Sequence, residues 1–246
     1  MSTGGASGRR RGVKPALAAL AAAYPDARTA LDFSTPWQLL VATVLSAQCT
    51  DQRVNIITAR LFGECPDAVA MARLSVEDLE ARIFDCGLYH AKARHLAATS
   101  RTVAARWGAE LPAAITREEL EALPGVGRKT ASVVLANAYG VPALAVDTHV
   151  FRVAHRLGWS AAKDANHTAD DLCHLIPRRQ WAAAHHWLIR HGRKICHARR
   201  PACGQCVVAR WCPRIGVDEP AAAGGGRRAA GRPRRAAPVP PGVPAG

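Results

Sequence analysis

Nine residues constrain this chain more than any other stretch: Leu123-Pro124-Gly125-Val126-Gly127-Arg128-Lys129-Thr130-Ala131. Pro124 cannot continue a helix, because its ring occupies the space of a preceding carbonyl and it has no N–H to donate. Gly125 and Gly127 permit a turn that residues with a β-carbon resist. Arg128 then opens a second helical run, to about residue 139. The segment predicts two helices joined by a glycine corner, with backbone N–H groups and a helix N-terminus exposed at one spot. Such a corner serves as a plain helix–helix junction or as a phosphate site that reads no sequence.

The rest of the chain favours helices too. Hydrophobic residues make up 49% of the 246 but aromatics only 5%, and alanine supplies much of the difference. Alanine is the best helix former, and the aromatic alternation of all-β proteins is missing. The expected fold class is all-α. The pattern predicts helices over 14–23, 37–48 (apolar nearly all round, hence central), 51–62 and 89–107, then 128–139, 148–157, 166–176 and 178–191, the last stopping at Gly192. Ser75-Val76-Glu77-Asp78 and Thr116-Arg117-Glu118-Glu119 read as capping boxes that open further helices. Residues 1–12 and 215–246 hold Gly, Ala, Ser, Pro and Arg with few large apolar side chains, and are expected to be disordered.

Lys and Arg number 33 against 19 Asp and Glu, a net +14. Residues 1–14 carry +4 and residues 215–246 carry +3, so the body between retains +7 without its tails. A polyanion, most simply nucleic acid, is the expected partner. No apolar run approaches the roughly 20 residues of a membrane span, and the first residues hold no apolar signal core. The expected location is a reducing cytosol, where cysteines favour metals over disulfides.

Lys129 falls in the first turn of its helix, where the peptide dipoles and Arg128 both disfavour an ammonium ion. A lysine there suits either a phosphate contact or, when neutral, an amine nucleophile. Val146-Asp147-Thr148-His149 follows 18 positions on. Asp147 reads as a helix N-cap, and the same fixed carboxylate, if near Lys129, can stabilise positive charge on a sugar or help move protons.

Cys196, Cys203, Cys206 and Cys212 are spaced C-x6-C-x2-C-x5-C, four thiols within 17 residues. Spacing alone suits zinc or a [4Fe–4S] cluster equally. Arg199 and Arg200 between the first two make a basic loop fit to grip phosphate. Cys49, Cys65, Cys86 and Cys173 are scattered and read as core residues or free thiols. His185 and His186, neighbours on a helix, point about 100° apart and read as packing rather than as one metal site.

From about Leu17 to Arg214 the chain resembles the endonuclease III family of helix–hairpin–helix base-excision DNA glycosylases. Gly127-Arg128-Lys129-Thr130, Ala145-Val146-Asp147-Thr148-His149, Leu45-Ser46-Ala47-Gln48, Gly87-Leu88-Tyr89 and His185-His186-Trp187-Leu188-Ile189 carry the likeness. The resemblance implies a bifunctional glycosylase and abasic-site lyase acting on oxidised pyrimidines in duplex DNA, as a monomer. It makes Lys129 the nucleophile and Asp147 the catalytic carboxylate. Gly125, Val126, Gly127 and Arg128 would hold backbone phosphate, Gln48 would face the orphaned base, and Leu88 would wedge between bases. It also decides the metal: the four cysteines would carry [4Fe–4S], in a structural, DNA-docking role.

Related branches fit less well. The adenine-mismatch branch carries a catalytic glutamate on the second helix, yet residues 38–48 contain no acid. That branch also lacks the lysine and has a large C-terminal recognition domain, where only a Pro/Arg tail follows Cys212. The 8-oxoguanine branch keeps the lysine but usually lacks the cluster. A DNA clamp without chemistry needs neither Lys129 nor Asp147. The expected architecture is two helical lobes with DNA across the cleft between them. One is a six-helix lobe over 29–140; the other joins 13–28 to 141–214 and holds the cluster.

Overall fold

The computed structural model describes residues 5–217, and among these it contains helices and no strand. In order they are α1 (Gly5–Ala23), α2 (Pro36–Leu45), α3 (Asp51–Glu64), α4 (Ala68–Ala72), α5 (Val76–Ile83) and α6 (Tyr89–Trp107). There follow α7 (Arg117–Glu121), α8 (Arg128–Ala138), α9 (Thr148–Arg156), α10 (Ala165–Leu175) and α11 (Trp181–Lys194). Side-chain caps explain most of the starts. Thr35, Thr50, Asp67 and Asp164 each accept a first-turn N–H, and Ser75 and Thr116 form the two expected capping boxes.

The helices bury two separate apolar clusters. The first gathers residues between Leu31 and Ala143 around α2, whose Trp37, Leu39, Leu40, Val41 and Ala42 are wholly buried, as its apolar circumference predicts. In the second, α1 returns to pack Val13, Leu17 and Leu20 against Val150, Val153, Leu172 and Leu188 of the chain's second half. A buried leucine or isoleucine contributes about 1.5–3 kcal/mol, so each cluster holds its own group of helices together.

Several elements differ from the sequence expectations. Residues 5–12, expected to be disordered, belong to α1; arginine is a good helix former, and lengthening an existing helix needs no new nucleus. Residues 1–4 and 218–246 lie outside the described residues, so the expected tail is described only at its start. There Ile215 donates its N–H to the Arg156 carbonyl at 3.3 Å. α2 stops at Leu45 rather than Gln48, because Ser46 turns back onto Ala42 and Thr43 and Gln48 is left-handed at φ +52°. α4 was not foreseen, and it brings the helices between 29 and 140 to seven rather than six. α11 does not stop at Gly192 but runs through it to Lys194. A β-carbon on Gly192 would lie 2.9 Å from the His149 β-carbon, so this glycine permits a close helix crossing.

Candidate active site

A cleft of about 940 Å³ separates the two clusters. Thr43, Gln48 and Lys129 line it from one side, and Asp147, His185 and Lys194 from the other.

Lys129 is exposed in the first turn of α8, directly after the glycine corner. The corner is rigid. Thr99 Oγ1 donates to the Pro124 carbonyl at 2.6 Å, and Val126 buries its side chain and donates its N–H to Leu123. Gly125 sits at φ +74°, and a β-carbon there would meet the His95 ring at 2.6 Å. Among the described residues no acceptor faces the N–H groups of Gly125, Gly127, Arg128 or Lys129. The corner therefore presents backbone donors at a helix N-terminus, the arrangement that holds an anion. Arg128 contributes its N–H but not a free side chain. Its guanidinium is paired with Asp170 of α10, and that bond holds the Asp170 carboxyl below its usual range.

Asp147 is the N-cap of α9: Oδ1 accepts the Val150 N–H at 2.8 Å. Leu144, Ala145 and Val146, immediately before it, are buried, so the carboxylate stands on a fixed strut. Its second oxygen has no protein partner among the described residues. α9 continues from this cap toward the cysteines. Arg152 Nε donates to the Cys196 carbonyl at 3.0 Å, and Arg156 Nη1 to the His197 carbonyl at 2.6 Å. One helix thus carries the carboxylate at one end and grips the cysteine loop at the other.

His185 and His186 both line the cleft, and their rings meet edge to face with centroids 4.8 Å apart, neither of which their spacing announces. His185 Nδ1 lies 2.8 Å from the Ala145 carbonyl, which makes Nδ1 the protonated nitrogen and Nε2 the acceptor. Burial keeps this ring neutral, while the charges of Asp147 and Lys129 act on it in opposite senses. His186 Nε2 lies 3.0 Å from Asn137 Oδ1 of α8, and burial pushes its pKa down to about 4. The unfolded chain therefore binds a proton there that the folded chain refuses. Stability falls as pH drops from about 6.5 toward about 4. His186→Gln, measured by urea unfolding across that range, is expected to flatten the slope; an unchanged slope would contradict the assignment.

Gln48 and Leu88 project from adjacent corners. Both are exposed and left-handed, at φ +52° and +61°. Their corners touch: a β-carbon on Gly87 would lie 2.9 Å from the Gln48 carbonyl oxygen. Side chains with β-carbons rarely hold this backbone, and such strain concentrates at functional surfaces. Leu88 is 57% exposed and, unlike Gln48, does not line the cleft. Arg199 and Arg200 are exposed on the cysteine loop, Arg200 at φ +51°, and neither lines the cleft.

Cys196, Cys203, Cys206 and Cys212 ring one pocket with Val153, Arg156 and His191. Arg156 Nη1 approaches Cys196 Sγ at 3.3 Å. Burial raises the Cys206 and Cys212 thiols, and the other cysteines of the ring raise them further. Four sulfurs facing one another in an enclosed pocket need cations to become thiolates. The ring offers the four cysteine ligands that a [4Fe–4S] cluster takes.

Comparison with known proteins agrees. Residues 41–178 match the HhH-GPD superfamily of base excision DNA repair proteins, and residues 196–212 match the iron-sulfur binding domain of endonuclease III. Endonuclease III of Synechocystis sp. is 46% identical over 77% of this chain and 86% of its own length. The Escherichia coli enzyme is 44% identical over 76% and 88%. A trapped covalent intermediate of an endonuclease III with DNA superposes with a TM-score of 0.78, at 40% identity over 83% of this chain and 96% of that one. A thermostable thymine-DNA glycosylase, 22% identical with a TM-score of 0.71 over 84% of this chain and 96% of that one, shares the fold. A helical fold, an iron-sulfur loop and close relatives across most of its length converge: the chain belongs to the endonuclease III family of HhH-GPD base-excision repair proteins.

Proposed function

We propose that this family member excises oxidised pyrimidines from duplex DNA and cuts the abasic site with Lys129 as its covalent nucleophile. The observation that carries the reading is the cleft, which gathers Lys129, Asp147 and Gln48 from both sides. The neutral Lys129 amine attacks C1′ of the damaged nucleotide, the C1′–N bond breaks, and the base leaves with a proton. The ring opens to a Schiff base. Loss of a C2′ proton then expels the 3′ phosphate by β-elimination, and water releases the enzyme. Asp147, ionised and held by its cap bond, stabilises the positive charge that gathers on the sugar and serves the proton transfers.

Extruding the nucleotide costs a few kcal/mol. Gln48 fills the vacated position facing the orphaned base, and Leu88 wedges between neighbouring bases. The N–H groups at Gly125, Gly127 and Arg128 grip one phosphate without reading sequence, while Val126 packs the corner beneath them. Arg199 and Arg200 add phosphate contacts from the cysteine loop. The two working lobes are 29–140 and 13–28 with 141–214, and the enzyme acts as a monomer at the nucleoid.

Cys196, Cys203, Cys206 and Cys212 hold the [4Fe–4S] cluster. A bound cluster would cross-link the loop, which Arg152 and Arg156 tie to α9 and so to Asp147 at its other end. The isolated protein is expected to contain about four irons per chain and to absorb near ~400 nm. Zinc in their place would contradict the assignment.

The activity is tested with a labelled duplex carrying one abasic site or one thymine glycol. Both are expected to be cut on the 3′ side of the lesion, and the intact duplex to remain whole. Failure to cut either damaged duplex would overturn the reading.

A further inference from the structure

Behind the corners of Gln48 and Leu88 lies a group of reactive side chains for which the proposed chemistry has no use. Lys92 of α6 is only 4% exposed, rare for a lysine. Its three N–H donors are all occupied: Nζ lies 2.8 Å from the Leu45 carbonyl, 2.5 Å from the Ala47 carbonyl and 3.0 Å from Cys86 Sγ. Lys92 thereby closes the end of α2 onto the loop before α6. Cys86 also donates its thiol proton to the Leu45 carbonyl at 3.2 Å. Cys49, on the facing corner, also acts on the Cys86 thiol, in the sense that raises it.

Cys49 and Cys86 directly adjoin the close approach of the two corners, since Gln48 and Gly87 are their chain neighbours. Cys49 is half-buried and lines the cleft, whereas Cys86 is 1% exposed. Neither belongs to the cluster ring. The two remaining thiols, Cys65 and Cys173, have no cysteine among the charges that act on them.

We propose that Cys49 and Cys86 are a modification site, a thiol pair that hydrogen peroxide converts to a disulfide tying the Gln48 corner to the Leu88 corner. Cys49, the more exposed, reacts first. Its sulfur takes one oxygen from peroxide as the O–O bond breaks, giving a sulfenic acid and one water. The Cys86 sulfur then attacks the Cys49 sulfur, the S–O bond breaks, and the hydroxyl leaves with the Cys86 proton as a second water. The two thiols lose two electrons and two protons, and one peroxide becomes two waters. Burial raises the Cys86 thiol while Lys92 opposes that rise, so the ammonium supports the sulfur as its proton departs. The bond joins two corners that already meet at Gln48 and Gly87, so both keep their place.

The test uses the full chain with its cluster, treated with one equivalent of hydrogen peroxide while cluster absorbance is followed. The expected product is lighter by two hydrogens, yields a Cys49–Cys86 linked peptide, and reverts with dithiothreitol. Cys49→Ser, at the more exposed member, is expected to abolish the link. Affinity for a duplex with a non-cleavable abasic analogue is expected to be unchanged by oxidation. Peroxide that leaves Cys49 as a sulfinic acid, joins Cys86 to Lys92, or destroys the cluster without linking the pair would overturn the proposal. So would the same loss of two hydrogens in Cys49→Ser, or a fall in affinity on oxidation of the wild-type chain.

Discussion

Lys129→Ala is expected to abolish the adduct that borohydride traps between the protein and an abasic duplex, and to lower lesion cutting by about a thousandfold or more. No second nucleophile replaces an amine that forms the covalent bond. The substitution leaves the fold alone, because Lys129 is exposed and makes no hydrogen bond or ion pair among the described residues. Surface changes of this kind shift stability by roughly 0.5 kcal/mol or less. An unchanged melting temperature with an absent adduct therefore isolates the chemistry. The comparison that sharpens the result is Lys194, the other lysine lining the cleft. It ends α11, whereas Lys129 opens α8 directly after the glycine corner. Lys194→Ala is expected to weaken DNA binding modestly and leave the trapped adduct in place.

The second large effect is at Asp147, where two roles coincide in one side chain. Asparagine caps a helix about as well as aspartate, whereas alanine loses roughly 1 kcal/mol. Asp147→Asn is thus expected to keep α9 and the melting temperature but to slow turnover by about 10²–10⁴-fold, because the negative charge is gone. Binding to an abasic duplex should survive, since the phosphate contacts lie elsewhere. Asp147→Ala should lose both rate and stability. The pair of variants separates cap from catalyst, and full activity in Asp147→Asn would reduce this residue to a cap.

What could be read in advance follows the range of the forces involved. Local rules place most helices, because a cap such as Ser75 with Asp78 or Thr116 with Glu119 lies within one turn of the run it starts. The glycine corner is legible for the same reason. Features set by packing between distant segments are not. Nothing near Arg128 announces Asp170, 42 residues on, although that pair decides where the guanidinium goes. Gly192 looks like a helix stop until His149 of α9 is laid against it. The His185–His186 pair reads as packing, and only the fold shows that both rings line the cleft with Lys129 and Asp147. Arg152 and Arg156, four apart on α9, offered a readable signal for the clamp on the cysteine loop, and the sequence reading passed over it. Lys129 and Asp147 stand out locally, but their catalytic roles came from resemblance, since 17 residues of intervening chain leave their meeting to the fold.

The central claim is that one particular amine bonds to deoxyribose, and mass-spectrometric mapping of the borohydride-reduced adduct tests it most directly. The wild-type protein is reacted with an abasic duplex, reduced, digested and sequenced around the sugar remnant. The account predicts the remnant on Lys129 alone. A remnant on Lys194 or on the chain's N-terminal amine would contradict it.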